Sequence, residues 1–403
     1  MSDKIRVLYD ELGFREPHGG VSRYFTELVK HLPDDVEGCF SAVRSRNVYL
    51  TGQPYNVPWG EQDVYDFIKK YLHGRTFPGV SYLYAVLARL MPKRFPSMEY
   101  ANRCAFKTEI KRGVFDVLHI TAPHPVFNCW KSVVGKKPIV ATVHDLIPEL
   151  LHENRRVGAM RQRLIKEASH IIAVSENTKR DLVRLYGVDE KMITVVYHGY
   201  VAGDAIRLPF EKLSVKPLTR KYILFVGKRD NYKNFGFFIT AVAPLLKSDF
   251  ELSVFCTGTA FSEQENMLIS RLGITRSVAQ GFVPDEELSS VFANAGVFVY
   301  PSKYEGFGIP ILDAFASSCP VVLSKSSCFP EVAGDAALYF NDGDIDGLRN
   351  AVENVIKEPG KRRELVERGR KMLARYSWEK CAKETSSVYM QVVSKWREMS
   401  RRS

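Results

Sequence analysis

Val297-Phe298-Val299-Tyr300-Pro301-Ser302-Lys303-Tyr304-Glu305-Gly306-Phe307-Gly308-Ile309-Pro310-Ile311-Leu312-Asp313 begins as a strand and ends as a helix. Four β-branched or aromatic residues in a row suit a strand buried on both faces, and the glycines and proline that follow interrupt it. Gly306 and Gly308 let the backbone approach a ligand closely, and Pro310 suits the first helical position, where no N–H is needed. The N–H groups of Phe307, Gly308 and Ile309 then lie beside the positive helix end, a place that favours phosphate. Glu305 and Asp313 flank this cradle; acids there suit hydroxyls rather than phosphate. Glu305 is read as an acceptor for sugar hydroxyls and Asp313 as an acceptor for ribose hydroxyls. The plainer reading is two acids complementing a helix dipole.

A second apolar run, Pro320-Val321-Val322-Leu323, follows a short helix. Strand, glycine-bearing turn, helix and strand make a βαβ unit, with the turn at the carboxyl end of the first strand. Ligands of open α/β sheets sit at that edge.

The string Pro301-Ser302, then Glu305-Gly306-Phe307-Gly308-Ile309-Pro310-Ile311-Leu312-Asp313-Ala314, then Pro320-Val321-Val322 and Pro330-Glu331-Val332-Ala333-Gly334-Asp335-Ala336-Ala337, resembles the signature of retaining glycosyltransferases of family 4. Members have the GT-B fold, an α/β architecture of two Rossmann-like domains facing each other across a cleft. The family pattern is a glutamate, seven residues, and a second glutamate; here Asp313 stands in the second place, one methylene shorter. The resemblance implies a nucleoside diphosphate sugar donor and a front-face reaction, with the leaving phosphate taking the acceptor's proton.

Upstream, Tyr222-Ile223-Leu224-Phe225-Val226 reads as a strand and leads into Gly227-Lys228-Arg229-Asp230-Asn231-Tyr232-Lys233-Asn234. Three cations after a strand end and a glycine have the composition of a phosphate clamp. Family 4 has a similar element whose two cations hold the donor diphosphate, which implies Lys228 or Arg229 as the first and Lys233 as the second. Glu251-Leu252-Ser253-Val254-Phe255-Cys256 reads as a further strand. Gln280-Gly281-Phe282-Val283-Pro284-Asp285 resembles the family segment beside the nucleotide base, with Asp285 expected as a helix cap.

The N-terminal half repeats the strand–helix alternation. Ile5-Arg6-Val7-Leu8-Tyr9 is a strand, and apolar positions from Val21 to Leu32 recur with a helical period after Gly19-Gly20. No G-x-G-x-x-G is present. The resemblance places Gly19 and Gly20 near the donor phosphates and the acceptor; a plain tight turn is the alternative. Strands are read at 115–120, 138–143, 168–174 and 193–197. His144 follows one of them, placed to donate to a substrate oxygen with Asp145 fixing the ring. His144-Asp145-Leu146-Ile147-Pro148 resembles an element of many family 4 mannosyltransferases, whose histidine lies beside the donor sugar. Ser175 reads as an N-cap. An irregular segment at 202–220 holds the domain boundary. The expected division is an N-terminal acceptor-binding domain, 1–210, completed by a helix at 378–403, and a nucleotide-sugar-binding domain, 211–377.

Residues 47–112 are the least legible, with helical patterns at 64–72, 82–91 and 98–111. Lys93, Arg94, Arg103, Lys107, Lys111 and Arg112 mix with Phe95, Tyr100 and Phe106, a composition that suits an anionic membrane surface and a lipid-linked acceptor. Helices packed on their own domain with solvated lysines are the alternative.

The net charge of +11 fits phosphorylated or anionic partners. Neither zinc-finger spacing nor an RNA-recognition signature is present, so nucleic acid is not expected. Seven cysteines without C-x-x-C spacing argue against disulfides and zinc and for a reducing compartment. No signal peptide and no apolar run of about 18 residues is seen. A cytoplasmic protein is expected, peripheral at the inner face of the membrane, without metal or cofactor. The reading as a whole is a retaining hexosyltransferase, moving mannose from GDP-mannose to a glycan or lipid-linked oligosaccharide in cell-surface polysaccharide synthesis. Its rivals are another enzyme of the same fold, such as an epimerase or phosphorylase, and a non-catalytic nucleotide-sugar- or membrane-binding partner in polysaccharide assembly.

Overall fold

The structure, a computed structural model, describes residues 4–16, 19–41, 47–50, 98–123, 137–151, 154–200, 208–229 and 231–402. The chain divides into two units, each built on a six-stranded parallel sheet. In unit 1 the strands are β1 (Ile5–Tyr9), β2 (Val36–Phe40), β3 (Val117–Ile120), β4 (Ile139–Val143), β5 (His170–Ala173) and β6 (Ile193–Val195), in the order β2-β1-β3-β4-β5-β6. In unit 2 they are β7 (Lys221–Phe225), β8 (Leu252–Thr257), β9 (Val278–Gly281), β10 (Val297–Tyr300), β11 (Val321–Ser324) and β12 (Ala337–Phe340), in the order β12-β11-β10-β7-β8-β9.

Every residue of β3, β4, β5, β8, β10 and β11 is buried, as expected for central parallel strands covered on both faces. On one face of the unit 2 sheet, Phe238, Val242 and Leu246 of the helix Phe235–Ser248 pack with Leu348 and Val352 of Ile345–Lys357. On the other, Ile311, Leu312 and Phe315 of Ile309–Ala316 pack with Val291 and Phe292 of Asp285–Asn294. In unit 1, Tyr24, Phe25 and Leu28 of Gly20–Lys30 share a core with Tyr389, Val392 and Val393 of Trp378–Arg402. Each such side chain stabilises its unit by about 1.5–3 kcal/mol.

Strand order locates the ligand edge. In unit 2 the chain moves outward from β7 through β8 to β9, then returns to lay β10 on the other side of β7. In unit 1 the reversal falls between β1 and β3. At such points the loops leaving adjacent strands diverge and open a crevice at the carboxyl ends.

Three strands escape the sequence reading, β2, β9 and β12, and all three are sheet edges. Glu37 and Gly38 interrupt the apolar run of β2, and Gln280 and Gly281 that of β9, whereas β12 is apolar but only four residues long, with its two middle residues half-buried. The unit boundary also differs from the expected one. Unit 1 is Met1–Ala173, Asp181–Val196 and Trp378–Ser403, and unit 2 is Val174–Arg180 and Tyr197–Ser377. The change falls at Tyr197, ahead of the irregular segment, because Tyr197, Tyr200, Leu208 and Phe210 pack on the unit 2 core. Val174 joins that core too, and the Glu331 carboxylate caps the helix Glu176–Tyr186 by accepting the N–H groups of Glu176 and Asn177, at 2.6 and 3.1 Å. Ser175 also caps it, accepting the Thr178 N–H at 3.0 Å. Asp285 is the first residue of its helix and Pro284 the cap, a correction of one position. The helical readings at 64–72 and 82–91 lie outside the described residues; the third appears as Met98–Arg112.

Candidate active site

The unit 2 crevice is formed by the loops after β7 and β10, joined where the Lys303 N–H donates to the Tyr232 carbonyl at 2.8 Å. Lys233 ends a single 3-10 turn, Asn231–Lys233, and Asn234 follows in the left-handed region (φ 60°) as the cap of Phe235–Ser248. This geometry turns Lys233 onto the other loop. Its Nζ donates to Glu305 Oε1 at 2.6 Å and to the Tyr300 hydroxyl at 2.9 Å. The two charged side chains are only 12% and 11% exposed, so the contact is a largely buried ion pair. Burial, with Glu305 adding to it, raises the Tyr300 hydroxyl well above its ordinary range, which keeps it neutral.

Gly308 caps Ile309–Ala316 with φ 89°. A Cβ there would lie 3.1 Å from both Ile311 Cδ1 and Phe329 Cε1, so the turn needs glycine for space as well as for conformation. The helix starts at Ile309, which places Pro310 second rather than first. Within the described residues the N–H groups of Phe307, Gly308 and Ile309 take no backbone partner. Phe307 is buried and stacks on His198, with centroids 4.6 Å apart and planes at 9°. Asp313 is half-buried on the same helix.

The alternatives Lys228 and Arg229 have different surroundings. Arg229 Nε pairs with Glu265 at 2.7 Å, and Nη2 donates to the carbonyls of Thr259 and Ala260 at 2.7 and 2.9 Å. Its guanidinium lies 4.8 Å from the Phe261 ring centre, and the side chain is 5% exposed. Lys228 is exposed. Among the described residues no group of three or more His, Cys, Asp or Glu could hold a metal ion, and no helix is long and apolar enough to cross a membrane.

In unit 1, Gly19 is the extended cap of Gly20–Lys30 and Gly20 its first residue. His144 directly follows β4, with Tyr24 and Phe25 edge-on to its ring at 5.0 and 5.6 Å. Burial, then the nearby Arg161 charge, pushes its pKa down to about 3, so the imidazole is neutral. The Asp145 carboxylate accepts the Ile147 N–H at 3.1 Å, the work of a turn cap.

The sequence pattern of Glycosyltransferase Family 4 matches residues 18–201, and that of glycosyl transferases group 1 matches 209–372. The chain belongs to glycosyltransferase family 4. The O-antigen chain mannosyltransferase B of Escherichia coli is 29% identical over 267 residues, spanning 62% of this chain and 69% of its own. The O-antigen chain mannosyltransferase RfbU of Salmonella typhimurium is 27% identical over 278 residues, 63% of this chain and 75% of its own. Among solved structures, HepE of Anabaena in complex with UDP and glucose superposes with a TM-score of 0.68 at 14% identity, covering 96% of this chain and all of that one. WaaG, a glycosyltransferase involved in lipopolysaccharide biosynthesis, gives 0.64 at 14% identity, covering 96% and 99%. These neighbours are GT-B proteins, so the two Rossmann-like units are those of that fold.

Several residues of this family 4 glycosyltransferase that shape its crevices escaped the sequence reading. Tyr300, taken only as a strand residue, supplies a second acceptor to Lys233. Asp10, at the end of β1, binds Thr121 through both carboxylate oxygens and accepts the Leu12 N–H at 3.1 Å, pinning the unit 1 reversal point. An acid directly after a parallel strand was the available signal. His119 bridges Tyr389 at 2.6 Å and Thr142 at 2.8 Å, a contact between residues 270 apart in sequence that no local pattern encodes.

Proposed function

We propose that this chain is a retaining hexosyltransferase that moves a sugar, mannose from GDP-mannose, to a hydroxyl of a glycan or lipid-linked oligosaccharide in cell-surface polysaccharide synthesis. The observation that carries the reading is the Lys233–Glu305 pair at the unit 2 reversal point, one turn before the N-terminus of Ile309–Ala316. Two of the three Lys233 donors are engaged, which leaves one for a phosphate oxygen. Glu305 Oε1 is held by Lys233, which leaves Oε2 for sugar hydroxyls. Lys228 is the first phosphate cation in this reading, rather than Arg229, whose Nε and Nη2 are taken by Glu265, Thr259 and Ala260. The Phe307, Gly308 and Ile309 N–H groups take the remaining diphosphate charge, and Asp313 takes the ribose. Phosphate binding is thus assigned to fixed cations and dipoles, and no metal is invoked.

In the reaction, the anomeric C–O bond to phosphate breaks while a bond to the acceptor oxygen forms on the same face. The acceptor proton passes to the departing phosphate oxygen, and configuration is retained. His144, neutral, serves as a hydrogen-bond partner of the donor sugar, and Gly19 and Gly20 as backbone donors of unit 1. The names of the two O-antigen relatives support mannose and a surface glycan. The described free, buried cysteines support a cytoplasmic setting. The basic face around Lys107 and Lys111 is assigned to an anionic membrane surface.

GDP-mannose and UDP-glucose, each incubated with an octyl α-mannoside acceptor with and without EDTA, test the reading by NMR of the product anomeric proton. An α-mannoside formed equally in EDTA is expected, and it should vanish in Glu305→Gln. An inverted product, or loss in EDTA, contradicts the mechanism.

A further inference from the structure

The Glu305 peptide is gripped from both sides by one turn. Its N–H donates to Ser327 Oγ at 3.1 Å, and the Cys328 thiol donates to its carbonyl at 3.2 Å. The same turn anchors the residues just before it, since the Ser324 and Ser326 hydroxyls both donate to the Ser302 carbonyl, the latter at 3.0 Å. With the Lys303 N–H held by Tyr232, the loop 302–305 is tied to β11 on one side and to the Lys233 loop on the other. Ser327 has φ 46°, a left-handed conformation uncommon for serine and natural for glycine. Glycine would make this turn with less strain; serine adds the hydroxyl that holds Glu305. Cys328 is fully buried, which raises its thiol well above the ordinary value and keeps it a neutral donor.

We propose that Ser327 and Cys328 are positioning residues for Glu305: they fix the peptide from which its carboxylate projects, so that Oε1 stays on Lys233 and Oε2 is presented to the donor sugar. The inference rests on the sugar-binding role given to Glu305 above. A side chain held at its own peptide and at one carboxylate oxygen loses little freedom on binding, whereas a loosened one must be ordered by the ligand.

Calorimetric Kd values for GDP-mannose and for GDP, and for UDP-glucose and UDP, separate the sugar contribution from that of the nucleotide. They are compared in wild type, Ser327→Gly, Ser327→Ala and Glu305→Gln. Both Ser327 variants should lose about tenfold in affinity for the nucleotide sugar, with affinity for the free nucleotide unchanged. Their stabilities should part: Ser327→Gly relieves the left-handed strain and keeps or raises Tm, whereas Ser327→Ala keeps the strain, loses the hydrogen bond and lowers it. A turn residue with only a structural role would lose sugar affinity in step with Tm. Wild-type sugar affinity in Ser327→Gly therefore overturns the proposal. Unchanged sugar affinity in Glu305→Gln removes the role of Glu305 itself and the inference with it. Wild type that binds none of the four ligands contradicts the donor reading at its base.

Discussion

Lys233 and Glu305 illustrate how one ion pair serves both stability and chemistry. At 2.6 Å and largely out of water, each charge depends on the other. Lys233→Ala leaves a buried carboxylate uncompensated and should cost about 3 kcal/mol in urea unfolding, while Lys233→Met with Glu305→Gln together should cost much less. Other buried groups give stability a two-sided pH dependence. His119 and His144 are held near pKa 3 against an ordinary 6.5, chiefly by burial, so unfolding lets them take up protons. Their contribution is present above pH 6.5 and lost as pH falls toward 3. Asp10 works in the opposite direction. Burial, then the Glu11 charge, raises its carboxyl from 3.8 to about 8, so the folded chain keeps a proton that the unfolded chain releases. Its contribution is lost as pH rises from 3.8 through 8. Urea midpoints across pH 4 to 9 should show His119→Gln flattening the acid limb and Asp10→Asn the neutral-to-alkaline limb; unchanged slopes contradict these protonation states.

Among the elements, the helix Ile309–Ala316 depends on the residue before it. Gly308→Ala puts a Cβ against Ile311 and Phe329 in a left-handed backbone, which should cost about 1–2 kcal/mol and misalign the N-terminal N–H groups. Equilibrium unfolding and GDP affinity should therefore fall together; a loss of neither contradicts the cradle. This helix and both flanking strands were legible because each carries its own signal: an apolar run, paired glycines, an early proline. The edge strands β2 and β9 were not, since polar residues and glycine break their apolar pattern, and β12 is a four-residue apolar run too short to stand out. Lys228 and Arg229 could not be told apart for a related reason. Both are cations after a glycine, and what occupies Arg229 is Glu265, in a helix 36 residues away.

For the whole molecule, the alternation of strands and helices was enough to anticipate two Rossmann-like units. The route of the chain between them was less legible. The boundary at Tyr197 depends on where tyrosines pack, and packing partners distant in sequence leave no periodic trace. The last helix, Trp378–Arg402, belongs to unit 1, where Trp378, Cys381, Tyr389, Val392 and Val393 complete a core and Tyr389 bonds Tyr9 and His119. Ending the chain at Ser377 strips these side chains from unit 1 and leaves a buried polar cluster without its phenol. Calorimetry of that truncation should show unit 1 melting lost and a separate unit 2 transition retained. A truncated chain with an intact two-unit profile contradicts the assignment. A donor site in unit 2 built on Lys233 should be visible in thermal shift of the purified protein against GDP-, UDP-, ADP- and dTDP-sugars, with and without Mg²⁺. A ligand at about 100 times its Kd adds near 2.7 kcal/mol, enough for a visible rise in Tm. The expected result is a response to one nucleotide sugar that persists without metal and is lost in Lys233→Ala; folded protein that answers to none of them, or equally well without Lys233, rules this site out.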